Sequence, residues 1–156
     1  CTFPIEFIEF NQHLVLRQGG LEEERRRVVA LAEEAISQGR TAAVYTKRER
    51  LDLETVDADR QLEISLQISE AVTGIVSGLK TRPSFIIAKG GITSSEIGTK
   101  ALRVRRALVK GQVRPGIPVW QTGKESKFPD MPYIIFPGNV GTENDLREIV
   151  ENLMEE

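Results

Sequence analysis

Twice along the chain a short apolar run breaks into glycine and then into residues that open a helix. The first copy is Phe85-Ile86-Ile87-Ala88-Lys89-Gly90-Gly91-Ile92-Thr93-Ser94-Ser95, and the second is Tyr133-Ile134-Ile135-Phe136-Pro137-Gly138-Asn139-Val140-Gly141-Thr142. Apolar runs this short read as strands, and the glycines permit a tight turn into the next helix. Strand–loop–helix units of this kind bury their apolar sides by gathering the strands in a sheet and laying helices over it.

The remaining periodicity agrees. Residues 5–10 read as a strand, and the spacing of Val28, Leu31, Ala32, Ala35 and Ile36 predicts a helix over 21–37 that Gly39 ends. Thr41–Thr46 lacks clean alternation, which predicts a strand buried on both faces of a parallel sheet. After a polar loop, a helix is expected from Asp59 to Leu79, with Leu62, Leu66, Ile68, Val72, Ile75, Val76 and Leu79 as its inner stripe. Pro83 breaks the chain before the first glycine loop. Beyond that loop, Ile97, Ala101 and Val104 predict a short helix, and Ala107-Leu108-Val109 predicts a strand. The segment from Arg114 to Pro132 is expected to be an extended loop with a short edge strand near Pro118, and Leu146, Ile149, Val150 and Leu153 mark the last helix. The expected fold is α/β, a three-layer sandwich with a mainly parallel or mixed sheet. It is expected to form a single domain over 1–156. Cys1 stands where an initiator Met is usual, so the chain is expected to be a piece of a longer protein.

Bulk composition narrows the function classes. With 21 basic and 23 acidic residues the net charge is -2, which gives no electrostatic push toward nucleic acid. No apolar run reaches the length of a membrane span. Cys1 is the only cysteine, so no internal disulfide forms, and a cytoplasmic location is expected. No cluster of Cys and His offers a zinc site, and His13, the sole histidine, is read as structural. The chain contains no G-x-G-x-x-G, no G-x-x-x-x-G-K-[ST] and no G-x-S-x-G. Arg25–Arg27 beside Glu22–Glu24 reads as a solvated, ion-paired helix face, Arg103, Arg105, Arg106 and Lys110 as a solvated basic cluster, and Trp120 as a packing residue.

The two glycine loops remain. Gly90 and Gly91 carry no Cβ, so backbone can come close to a ligand there. Thr93, Ser94 and Ser95 are good N-cap types, and a helix start presents N–H groups and a dipole that favour an anion. The loop reads as a phosphate cradle to which Lys89 adds a point charge; a routine strand-to-helix turn is the plainer alternative. Gly138, Asn139 and Gly141 make the second loop. In a parallel sheet two such loops emerge at one carboxyl edge, where open α/β sheets bind ligands. No general base or nucleophile stands out, so the catalytic residues are unassigned and the chain reads as half of an active site.

Three blocks carry a resemblance: Lys89–Ser95, then Arg105-Arg106-Ala107-Leu108-Val109-Lys110-Gly111-Gln112-Val113-Arg114-Pro115-Gly116-Ile117-Pro118-Val119-Trp120, then Phe136-Pro137-Gly138-Asn139-Val140-Gly141. In order and spacing they resemble the carboxy-terminal nucleotide-binding domain of the four-carbon acid sugar kinases. The resemblance implies ATP with Mg²⁺ as cofactors. It matches Gly90, Gly91, Ile92 and Thr93 to the family's phosphate loop, and Gly138 and Gly141 to its second glycine loop. It implies a partner, an amino-terminal sugar-acid domain in the same or a separate chain, that supplies the substrate site and the catalytic base. Ile92 stands where the family usually has a polar residue, and Phe136-Pro137 where it often has lysine or serine. Asp130 and Glu96 are weighed as magnesium ligands. A non-catalytic module that kept the fold and lost the nucleotide is the alternative, and the oligomeric state is open, a homo-oligomer included.

Overall fold

The computed structural model describes residues 5–49, 51, 54–137 and 144–155. The chain divides into two compact units, one spanning Pro4–Thr81 and the other built on Arg82–Glu156. Each is α/β, as expected.

In the first unit β1 (Ile5–Phe10) and β2 (Thr41–Thr46) pair in parallel, Ile5 beside Thr41 and Phe10 beside Thr46, with α1 (Gly20–Ser37) as the crossover between them. Alternation along β1 turns Ile8 and Phe10 inward, where they are buried along with Val28, Ala32 and Ala35 of α1. The predicted double-sided burial of β2 does not occur. Val44 lies in a two-stranded sheet with a free edge, and Tyr45 shares the open face with Phe7, which is 70% exposed. The charged face of α1 is ion-paired as expected, Glu22 holding both Arg25 (2.6 Å) and Arg26 (3.1 Å). His13 is a tether, with Nε2 3.0 Å from the Glu49 carbonyl.

The second helix of this unit, α2 (Ala58–Gly78), starts at Asp57, whose carboxylate accepts the Arg60 N–H (2.8 Å). It meets α1 at Gly74 and Gly78. A Cβ on Gly74 would stand 2.9 Å from Arg25 Cδ, and one on Gly78 3.1 Å from Val29, so a larger residue at either position would crowd the side chains of α1. The predicted inner stripe is half right. Ile75 and Leu79 are buried, but Leu62 and Leu66 are exposed and Ile64 is buried instead. Two residues along a helix turn the side chain by about 200°, so Leu66 and Ile64 lie on opposite sides. At the far end Glu33 of α1 accepts hydrogen bonds from the Thr81 hydroxyl (2.6 Å), the Thr81 N–H (3.0 Å) and the Lys80 N–H. Burial works to raise its pKa, but those bonds outweigh it and hold the carboxyl below the usual range.

The second unit holds a four-stranded mixed sheet in the order β3 (Ile86–Lys89), β6 (Pro132–Phe136), β5 (Ile117–Thr122), β4 (Ala107–Arg114). β3 and β6 are parallel; β5 is antiparallel to both β6 and β4. Ile134, fully buried, sits in register with Ile87 on one side and Val119 on the other. On that face α4 (Asp145–Glu155) covers the sheet with Ile149, Leu146 and Leu153. The opposite face carries Tyr133 and is covered by α3 (Gly91–Glu96) and the π-helical turn that continues it (Ile97–Ala101). This unit is therefore three-layered.

Two expectations fail here. Val104 lies beyond the helix, which closes at Leu102, where the N–H donates to the Ile97 carbonyl (2.8 Å). Arg114–Pro132 is not an extended loop: β5 is an inner strand and β4 the edge. Pro118 is tolerated inside the sheet because β5 pairs with β6 only from Val119 onward and β4 is irregular opposite Pro118. Trp120 is half-buried and lies in register with Val109 and Tyr133.

Two measurements check these assignments. Ile64→Ala should lower unfolding free energy by about 2–5 kcal/mol in urea titrations, while Leu66→Ala changes it by less than about 1 kcal/mol. Glu33 adds stability that is complete above the unfolded-state pKa and is lost as pH falls through the lower folded-state pKa. Stability should therefore drop more steeply from about pH 5 to pH 3 in the wild type than in Glu33→Gln, read from urea midpoints at each pH.

Candidate functional site

Parallel pairing sets Lys89 beside Phe136, so β3 and β6 leave the sheet at the same edge. The junction is a hydrogen bond: the Gly90 N–H donates to the Phe136 carbonyl (2.9 Å). Gly90 then adopts φ +99°, a conformation that residues with a Cβ rarely adopt, and the chain turns into α3. The antiparallel strands bring their hairpin tip, Pro115-Gly116, to this edge as well.

Gly90, and not a hydroxyl residue, is the N-cap of α3. Thr93, Ser94 and Ser95 therefore lie inside the helix. The first N–H groups of a helix have no acceptor within it, so those of Gly91, Ile92 and Thr93 face out from the helix start. Nothing among the described residues comes within 4 Å of a Cβ placed on Gly91. Ile92 is 75% exposed at the same turn. Lys89 is exposed, its Nζ 5.7 Å from the centroid of the Phe136 ring.

Ser94 differs from the expectation that it contacts a ligand. It is buried, and its hydroxyl donates to the Gly90 carbonyl (2.6 Å) and lies 3.0 Å from the Ala88 carbonyl. Its role is internal support. Its own carbonyl accepts the Tyr133 hydroxyl. Burial pushes the Tyr133 phenol well above its ordinary pKa, against a smaller opposing effect from the Gly98 N–H hydrogen bond. Tyr133 is a residue that sequence reasoning passed over. Its signal was a polar atom in a strand otherwise apolar, which burial obliges to find a partner. Gly138, Asn139 and Gly141 lie outside the described residues; Pro137, just before them, follows Phe136 at the shared edge.

The basic cluster is elsewhere. Arg106 and Lys110 line an open depression of about 450 Å³, along with Thr122, Lys124 and Asp130, where β4 begins and β5 ends. That is the sheet edge opposite Gly90. Glu125 organises its rim, accepting the N–H groups of Arg105 (3.1 Å) and Arg106 (2.8 Å). The weighed magnesium ligands do not come together: Asp130 lies at this opposite edge, and Glu96 pairs with Lys100 (3.3 Å). Among the described residues no three His, Cys, Asp or Glu side chains are grouped.

The profile of one family, described as "Nucleotide-binding C-terminal domain", matches residues 3–146. Among solved structures, a Haemophilus influenzae protein of the DUF1537 family superposes with a TM-score of 0.64 at 18% identity, over 97% of this chain and 35% of that one. A DUF1537 domain from Bordetella bronchiseptica, described as a domain-swapped dimer with bound citrate, gives 0.59 at 20% identity, over 99% of this chain and 42% of that one. The chain thus spans well under half the length of these neighbours. No curated protein matches significantly.

The two glycines should respond differently to substitution. Gly90→Ala forces a Cβ onto a left-handed backbone and should cost about 1–2 kcal/mol in chemical denaturation, whereas Gly91→Ala, with open space before it, should leave the midpoint within about 0.5 kcal/mol.

Proposed function

The chain belongs to the family of nucleotide-binding C-terminal domains, and on that footing we propose that it holds ATP for a kinase that phosphorylates a four-carbon sugar acid of the threonate or erythronate type. The observation that carries this reading is the shared edge of β3 and β6, where Gly90 is hydrogen-bonded to Phe136. It supports a site in which the N–H groups of Gly91, Ile92 and Thr93 face the phosphates and Lys89 adds a positive charge; the family resemblance adds Gly138, Asn139 and Gly141 as nucleotide contacts. Phosphoryl transfer is mostly positioning and charge stabilisation, which backbone N–H groups supply without any special side chain. Mg²⁺ arrives bound to the ATP phosphates.

The sugar acid and the catalytic base belong to a further domain, in the same chain or a separate one. The lengths of the structural neighbours, of which this chain covers 35% and 42%, support that division. The domain-swapped dimer among them supports a homo-oligomer. Among the described residues no helix is long and apolar enough to cross a membrane, and the proposed site of action is the cytoplasm. A second reading, a module that has lost its nucleotide, is favoured by one observation: Ile92 puts an exposed apolar side chain on the loop.

Titration with ATP-Mg²⁺, followed by ¹⁵N-resolved NMR, separates the two readings. Binding should shift the amide signals of residues 90–95 and 138–141, and Gly91→Val should weaken it tenfold or more while the remaining spectrum is retained. A spectrum unmoved by millimolar ATP-Mg²⁺ would establish the second reading.

A further inference from the structure

Tyr133 is the second residue of β6, and its hydroxyl is hydrogen-bonded to the backbone of the facing helix. It donates to the Ser94 carbonyl, which also accepts the Ile97 N–H. In an uninterrupted α-helix that carbonyl would take the N–H of residue 98. The phenol thus occupies an acceptor of the helix ladder. Immediately beyond, the helix widens into the π-helical turn Ile97–Ala101. A group inserted into the ladder is a recognised cause of such a departure. Gly98 fits the insertion, since even a Cβ there would lie 3.4 Å from the Tyr133 ring.

The insertion acts on the glycine loop through Ser94. Its carbonyl is held by Tyr133, and its hydroxyl donates to the Gly90 carbonyl, with the Ala88 carbonyl 3.0 Å away. The Ser94 N–H also donates to Gly90 (3.0 Å), and the Gly90 N–H donates to Phe136. Both backbone polar groups of Gly90 are therefore committed inward. In a trans peptide the carbonyl of one residue and the N–H of the next point in opposite directions. Holding the Gly90 carbonyl inward aims the Gly91 N–H outward. We propose that Tyr133, acting through Ser94, is a positioning residue for the phosphate loop: it locks the Gly90–Gly91 peptide in its anion-facing orientation before ligand arrives. This rests on the nucleotide-binding reading given above. It places the preorganisation of the site in a strand residue that never touches the ligand.

The test compares the wild-type chain with Tyr133→Phe and Ser94→Ala. Tyr133→Phe keeps the ring and removes only the hydroxyl. In the absence of ligand the amide signals of Gly90, Gly91 and Ser94 should move. The Kd for ATP-Mg²⁺ should rise tenfold or more while far-UV circular dichroism stays that of the wild type. Should Tyr133→Phe fail to fold, Ser94→Ala carries the same test, with the Gly90 and Gly91 signals moved and binding weakened. Unmoved loop amides, or unchanged ATP affinity in a folded variant, would overturn the proposal. A wild-type chain that ignores ATP-Mg²⁺ would instead remove the nucleotide reading, and with it the purpose assigned to the lock.

Discussion

The parallel register of β3 with β6 is the constraint on which the candidate site depends. It is held by burial: Ile134 lies between Ile87 and Val119 under α4, with no room for an alternative neighbour. A slip of one residue would exchange the faces of Ile134 and Tyr133. The core would then receive a phenol, and Ser94 would lose its partner on the strand. The same register brings the Phe136 carbonyl to the Gly90 N–H. Packing on one face of the sheet and loop geometry on the other are thus consequences of a single alignment.

At that edge the division of labour runs between backbone and side chain. Groups free to face a ligand are main-chain N–H groups at a helix start. Of the polar side chains nearby, Ser94 and Tyr133 face inward, onto a carbonyl and onto the helix, while Lys89 stays exposed. This explains why the loop matches no familiar phosphate-binding motif. Such motifs prescribe glycines and side chains at a fixed spacing, whereas here the features present are a left-handed backbone at Gly90 and room for a Cβ at Gly91. Ile92 can replace a polar residue without disturbing either condition.

Local pattern was legible where one interaction dominates. Thr41–Thr46 and the helix ended near Gly39 lie where periodicity and glycine indicate. The errors came where a distant neighbour decides. Leu62 and Leu66 look as suitable for burial as Ile64, and only the position of α1, allowed close at Gly74 and Gly78, selects which side of α2 is covered. Pro118 marks an edge strand in a typical sheet, yet here β5 is inner because its pairing with β6 begins one residue later. Hydroxyl residues after a glycine pair suggest caps, but Gly90 already occupies the capping position, so the helix begins before them.

By itself the chain's order of residues determined the α/β alternation, the strand–glycine–helix passages and the family resemblance, because each is written in contacts between near neighbours. The folded structure alone decided that β3 and β6 run side by side in the same direction, that Ser94 turns inward, and that Tyr133 enters the helix ladder. Those depend on residues up to 47 positions apart, as Ile87 and Ile134 are, and no local periodicity encodes which partner a strand or a buried hydroxyl will find.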